Sequence, residues 1–201
     1  MENALASLNT TILFGSYREP ANGTRIVRYL EKQLQQRPHT VTTVLAKEWD
    51  LPILDKMYKE YEAGQAPEKL EKLREIIVNT DLFLVVSGEY NHTIQPGLTN
   101  LMFHFLEEYR FKTAGIVSYS PGGFGGARMA VHLRAPLAEM GLITIPSMLT
   151  VPGIHKSLTI EGTHTDVQAG QSLDQFAGKF LDEAEWYARA LKQALTQSKP
   201  Y

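Results

Sequence analysis

Residues 82–87 read LFLVVS, an apolar run unbroken until its last position. A strand with one wet face alternates apolar and polar side chains, so an unbroken run calls for cover on both faces. Four more short β-type runs share the chain: 10–15 (TTILFG), 40–46 (TVTTVLA), 113–118 (TAGIVS) and 142–151. Between them the apolar period changes to three and four. Ile26, Leu30 and Leu34, with Val27 beside them, mark one helix, and Leu70, Leu73, Ile76 and Ile77 a second over 68–79. Pro96 opens a third that the pattern carries to Glu108, and a glycine-rich stretch opens a fourth toward Met140. Leu173, Phe176, Phe180, Ala184, Tyr187 and Leu191 mark the last. Five strands alternating with helices require crossovers, and therefore a parallel sheet with helices on both faces. Pro136 should kink or shorten its helix, and Pro146 places the fifth strand at an edge or a bulge. Residues 49–67 and 153–172 read as long surface loops. One domain spanning 1–201 is expected, with 1–9 and 197–201 as loose tails.

Composition narrows the chemistry. The 201 residues hold no cysteine, which removes disulfides, thiolate nucleophiles and cysteine-ligated metals. A formal charge of −2 gives no electrostatic case for nucleic acid or a membrane surface. Residues 1–9 carry Glu2 and no apolar signal core, and no run is long enough to span a bilayer, so a cytoplasmic location is expected. The six histidines are scattered without ligand spacing, so no metal site is expected.

Ligands of parallel α/β sheets bind beyond the carboxyl ends of the strands, near the point where strand order reverses. The segments after strands one, three and four are therefore the places to look. The first, GSYREPANGTR from Gly15 to Arg25, offers the Ser16 and Thr24 hydroxyls, the Arg18 guanidinium and a helix N-terminus, which together suit a phosphate monoester. The same residues also make an ordinary strand–helix turn. It is neither a dinucleotide fingerprint nor a Walker loop, because the chain has no G-x-G-x-x-G and no glycine followed by Lys-Ser or Lys-Thr. The second, 87–97 (SGEYNHTIQPG), sets polar groups and Tyr90 after the buried strand. It can meet the edge of a planar heterocycle, or simply cap the next helix with Thr93 or Gln95. The third, 118–128 (SYSPGGFGGAR), has four glycines in five positions, costly in entropy unless something approaches the backbone. Three such loops at three strand ends point jointly to a ligand.

In order and spacing, GSYREPANGTRI, GEYNHTIQPGLTN and SYSPGGFGGARMAVHLR resemble the signature segments of the NADPH-dependent FMN reductase family, which includes quinone and azo reductases. The resemblance implies a flavodoxin-like three-layer sandwich with strand order 2-1-3-4-5. It also implies a homodimer or dimer of dimers with FMN near the subunit interface. Ser16, Arg18, Gly23 and Thr24 would then hold the FMN phosphate. Glu89, Tyr90, Asn91 and Thr93 would line the isoalloxazine edge, with Ser118, Gly122 and Gly123 on its other side. Two departures stand out: Gly88 where the family carries proline, which should loosen that loop, and Ala21 where it carries a small polar residue.

In this reading hydride passes from NADPH or NADH through FMN to a small acceptor such as a quinone, free flavin or azo compound, in ping-pong order. The protein supplies binding and electrostatics, with no catalytic acid or base of its own. Trp49, Met57, Tyr58 and Tyr61 are placed in a wall of the site, in a dimer contact, or as anchors of their loop to the core. A phosphatase of this architecture needs a cysteine after strand one, and a phospho-accepting receiver an aspartate where Ser87-Gly88 stands. A hydrolase would need a Gly-x-Ser-x-Gly elbow, which is absent. The remaining alternative is a flavin-binding sensor or electron-transfer partner without turnover.

Overall fold

Strand β3 (Leu82–Gly88) is buried along its whole length. Its side chains alternate between two cores, as the period of a strand requires. Leu82, Leu84 and Val86 enter a cluster with Ile26, Leu30, Leu34, Phe180, Leu181 and Ala184. Phe83 and Val85 enter another with Leu73, Ile77, Leu101, Met102, Met129 and Leu133. In this computed structural model, which describes residues 6–200, the sheet is therefore the middle of three layers. On one face lie α1 (Thr24–Gln35) and α7 (Val167–Gln197), and on the other the short α2 (Ala46–Trp49), α3 (Glu68–Asn79), α4 (Pro96–Phe103) and α5 (Ala127–Glu139).

With β1 (Asn9–Phe14), β2 (Thr40–Leu45), β4 (Lys112–Tyr119) and β5 (Leu142–Val151), the sheet is all parallel in the order β2-β1-β3-β4-β5. The chain steps from β1 to β2 in one direction and crosses back to β3 in the other. That reversal opens a crevice at the carboxyl ends of β1 and β3.

Pro146 sits on the edge strand and also at an irregularity. Pairing passes from Ala114↔Thr144 to Ile116↔Met148, so β5 bulges around the residue that cannot donate to the ladder. Pro136 does not end its helix early, since α5 runs on to Glu139. The α4 helix, expected to reach Glu108, stops at Phe103. The Phe105 amide turns to the Met102 carbonyl, a tighter bond that lets Phe105 stack on Tyr58 at 5.5 Å. Tyr109 then packs edge-on to Phe83 at 5.3 Å. The loop expected over 153–172 is shorter than its pattern suggested. It contains α6 (Ile154–Ser157), and α7 begins at Val167, where the Asp166 carboxylate accepts the Gln168 amide at 2.9 Å. Of the two terminal stretches, residues 1–5 and 201 lie outside the described residues. Order starts before residue 10, since Leu8 is fully buried and Asn9 opens β1.

Candidate cofactor site

Tyr119, at the end of β4, ties the three loops together. Its ring lies 6.2 Å from that of Phe14, and the Gln95 side-chain amide donates to its hydroxyl at 3.3 Å. The Ser16 hydroxyl interacts with the same group. Burial pushes the phenol's pKa up, so it stays protonated in any ordinary buffer. Two glycines make room for this ring. A Cβ on Gly23 would stand 2.4 Å from both the Phe14 and Tyr119 rings, and one on Gly88 2.9 Å from Tyr119. Gly88 therefore does not leave a slack loop. It is a buried β3 residue against which the tyrosine packs.

The first loop leaves β1 with Ser16 buried and Arg18 exposed. The Ser16 hydroxyl accepts the Arg18 amide at 3.2 Å, while the Arg18 guanidinium has no ion pair among the described residues. Ser16, Arg18 and Thr24 line one cavity of about 250 Å³, and Arg28 and Lys47 join them there. Lys47 is paired with Glu19, and Arg28 donates to the Ile160 carbonyl at 2.9 Å. The sequence reading named neither cation: Arg28 lies one turn into α1, past the end of the loop, and Lys47 is brought in from beyond β2. Glu19 and Glu48 line the cavity too, and Glu19 holds Lys47, so Arg18, the buried Ser16 hydroxyl and the start of α1 are the donors that fit a phosphate monoester. Gly23 contributes closeness to the rings rather than a contact within this cavity.

In the second loop, Tyr90 and Thr93 exchange backbone hydrogen bonds of 3.0 and 2.9 Å around Asn91 and His92. Both central residues have positive φ, 49° and 65°, a conformation that costs about 1–3 kcal/mol per residue and recurs at ligand sites. Asn91 and Thr93 are exposed, whereas Glu89 turns inward. One Glu89 oxygen meets His92 at 3.2 Å and Arg128 at 3.4 Å, while the other is buried without a partner. The Gln95 side-chain oxygen is likewise buried and unpaired. Two buried acceptors facing this edge suit a ligand that carries N–H groups.

In the third loop the four glycines divide. Gly125 and Gly126 have positive φ and would clash with Thr150 and Tyr119 if they carried a side chain. A Cβ at Gly123 would meet nothing within 4 Å, and one at Gly122 only the Ser120 hydroxyl at 3.9 Å. Among the described residues nothing asks for glycine at 122 or 123, so open space over the backbone is what these two preserve. Ser118 is fully buried and donates to Thr150 at 3.2 Å, which turns its side chain away from that space.

A larger cavity of about 900 Å³ adjoins the first two loops. Tyr17, Arg18, Tyr90 and Gln95 form one side, and Asp50, Leu51, Ile53, Leu54 and Phe103 the other. Its second wall falls in the stretch read as a surface loop. Asn100 on α4 holds it, accepting the Leu54 amide at 3.0 Å and donating to the Pro52 carbonyl at 2.9 Å. Trp49, Tyr58 and Tyr61 instead pack against the core beneath and anchor the segment. An amide on a helix reaching back about fifty residues left no local signal.

A donor set that fits phosphate, an open glycine cradle and unpaired acceptors, set at the switch point of a 2-1-3-4-5 sheet, suit an FMN-binding oxidoreductase. Residues 8–156 match the NADPH-dependent FMN reductase family, and the chain belongs to it. It is 26% identical to a quinone reductase of Pseudomonas putida over 145 residues, 69% of this chain and 75% of that relative. Among solved structures it resembles FerB, a flavoenzyme NAD(P)H:(acceptor) oxidoreductase from Paracoccus denitrificans, with a TM-score of 0.70 at 21% identity over 90% of this chain and 98% of that one. It also resembles a flavodoxin of Pseudomonas aeruginosa, with a TM-score of 0.54 at 14% identity, covering 89% and 99% of the two chains. The fold is flavodoxin-like. The protein is an NAD(P)H-dependent oxidoreductase with FMN as its cofactor. No helix among the described residues is long and apolar enough to cross a membrane.

Proposed function

We propose that this protein reduces a flat, uncharged acceptor of the quinone kind, taking electrons from NADPH or NADH in ping-pong order. The observation that carries this reading is the 900 Å³ cavity beside the cofactor loops, walled by Tyr17, Leu51, Ile53, Leu54, Tyr90 and Phe103. Arg18 and Asp50 are its two charged lining residues, one of each sign, which disfavours an anionic acceptor such as a metal oxyanion. Bound FMN would accept hydride and release it again.

The chain's own residues bind, orient and exclude. Ser16, Arg18 and Thr24 hold the phosphate, with Gly23 keeping the helix start close. Tyr90, Asn91 and Thr93 line the ring edge, and Glu89 is held toward it by Arg128 and His92. Gly122 and Gly123 leave the opposite side open, and Ser118 anchors that strand end through Thr150. The Ile53 side chain, 88% exposed, stands at the cavity as an apolar surface for the acceptor. The chain works as one domain, in a homodimer or a dimer of dimers, as in the family resemblance.

The visible spectrum of FMN-loaded protein, recorded anaerobically, tests this. NADPH should bleach the flavin band promptly, and benzoquinone added afterwards should restore it. A band that persists under NADPH would favour a sensor or carrier, and failure to retain flavin would overturn the assignment.

A further inference from the structure

Asp50 stands where the local backbone favours other residues. It closes the short α2 with φ 44° and ψ 57°, and its amide donates to the Ala46 carbonyl at 2.9 Å. Glycine and asparagine are the usual choices at a left-handed helix end, and a carboxylate there faces the partial negative charge of the last carbonyls. Lys69, the cation that reaches this end, donates to the Trp49 carbonyl at 2.6 Å and lies 3.4 Å from the Asp50 carbonyl oxygen. It is spent on backbone, and the Asp50 carboxylate has no ion pair among the described residues. A local rule broken without a compensating bond points to function rather than to folding.

Asp50 lines the 900 Å³ cavity, where Arg18 is the other charged residue. In the functional reading above, Arg18 is taken up by the cofactor phosphate and its charge is neutralised there. The field left to an occupant of the cavity is then that of Asp50, and the apolar walls of Leu51, Ile53 and Leu54 focus it. That field reaches the opposite side. Burial, and after it the Asp50 charge, raises the pKa of the Tyr17 phenol across the cavity.

We infer that Asp50 sets the charge selectivity of the acceptor cavity. Planar ring systems bearing a positive charge, of the phenothiazinium and phenazinium kind, are admitted alongside neutral quinones, and planar anions are turned away. The inference rests on the quinone-reductase reading for turnover and on the Asp50 carboxylate for selectivity. The exchange balances as a hydride transfer: NADPH becomes NADP+, and the phenothiazinium cation becomes its neutral leuco form. The product has lost the charge that Asp50 attracts, which favours its release.

Asp50→Asn tests it, since asparagine suits the same left-handed backbone and removes only the charge. In ping-pong order, kcat/KM for the acceptor reports on the second half-reaction alone. It is measured on FMN-loaded protein with NADPH, using naphthoquinone, naphthoquinone sulfonate and methylene blue. Relative to wild type, the variant should gain about two- to fivefold with the sulfonate and lose as much with methylene blue, the range of one exposed charge. Naphthoquinone should be unchanged, and both shifts should shrink in about 1 M salt, which screens an exposed charge. Titration calorimetry of the oxidised protein with naphthalene sulfonate and N-methylquinolinium, which do not turn over, should show the same opposite shifts in dissociation constant. A wild type that fails to reduce naphthoquinone would overturn the acceptor reading, while the titrations still judge Asp50. Charged probes that shift alike or not at all, or a naphthoquinone rate that moves as far as theirs, would overturn the selectivity assigned to Asp50.

Discussion

Replacing Gly123 by alanine separates what the fold needs from what the cofactor needs. In the free chain the added methyl meets nothing within 4 Å, and the backbone there is outside the left-handed region. Folding stability should then stay level or rise by about 0.4–1 kcal/mol, because alanine has less freedom to lose than glycine. Gly122→Ala should behave alike, with only the Ser120 hydroxyl near, at 3.9 Å. Against bound FMN the same methyl overfills space, at a cost of about 1–3 kcal/mol, or about 5- to 150-fold in the dissociation constant. Gly125→Ala is the contrast. With φ at +60° and a Cβ 2.6 Å from a Thr150 methyl, it combines a left-handed cost of about 1–2 kcal/mol with overpacking of similar size. It should destabilise the protein by about 2–5 kcal/mol. Urea unfolding reads the first quantity, and quenching of FMN fluorescence on titration with protein reads the second. If Gly122→Ala and Gly123→Ala both bind FMN like wild type, the cradle argument fails. If either loses more than about 1 kcal/mol of stability, the loop is packed differently from this description.

Removing the free guanidinium in Arg18→Ala should weaken FMN about 10- to 150-fold, from the loss of about 1.5–3 kcal/mol in charge-assisted bonds. Riboflavin, which lacks the phosphate, should bind unchanged, and isothermal titration of both ligands checks it. Tyr119→Phe leaves the buried Gln95 amide without its acceptor and should cost about 1–3 kcal/mol in urea unfolding. Glu185 predicts a pH dependence. Burial alone would raise its pKa, but Arg37 at 2.5 Å, His39 at 3.1 Å and Arg189 at 2.9 Å hold it below the usual range. Because the folded value is the lower one, its contribution is present above the ordinary glutamate pKa of about 4.3 and is lost as pH falls through the depressed value. Glu185→Gln should therefore melt lower than wild type at pH 7, with the gap closing in acid, as read by Tm across pH.

Periodicity along the chain was enough to reveal the layers. The unbroken run at 82–87 required cover on both faces, and the runs around it alternated with helical spacing, because burial is imposed locally on side chains two or three and four positions apart. Pro146 announced a bulge at an edge for the same reason, since a missing donor is a property of one residue. The three loops at the strand ends were likewise visible as composition. Which of their residues face a ligand was decided elsewhere. Ser118 looked available until Thr150 from β5 took its hydroxyl, and Gly88 looked slack until the Tyr119 ring filled the space a side chain would need. Lys47 reached the phosphate cavity, and 50–54 became a wall through Asn100, by contacts between elements far apart in sequence, while Arg28 joined them from one turn along α1. The expected length of α4 failed where Tyr109 could bury itself on Phe83 only by leaving the helix. Local pattern records which face of an element is apolar. The partner that face meets, and the polar atoms that remain unpaired, depend on how distant segments are brought together, and that depends on packing in three dimensions.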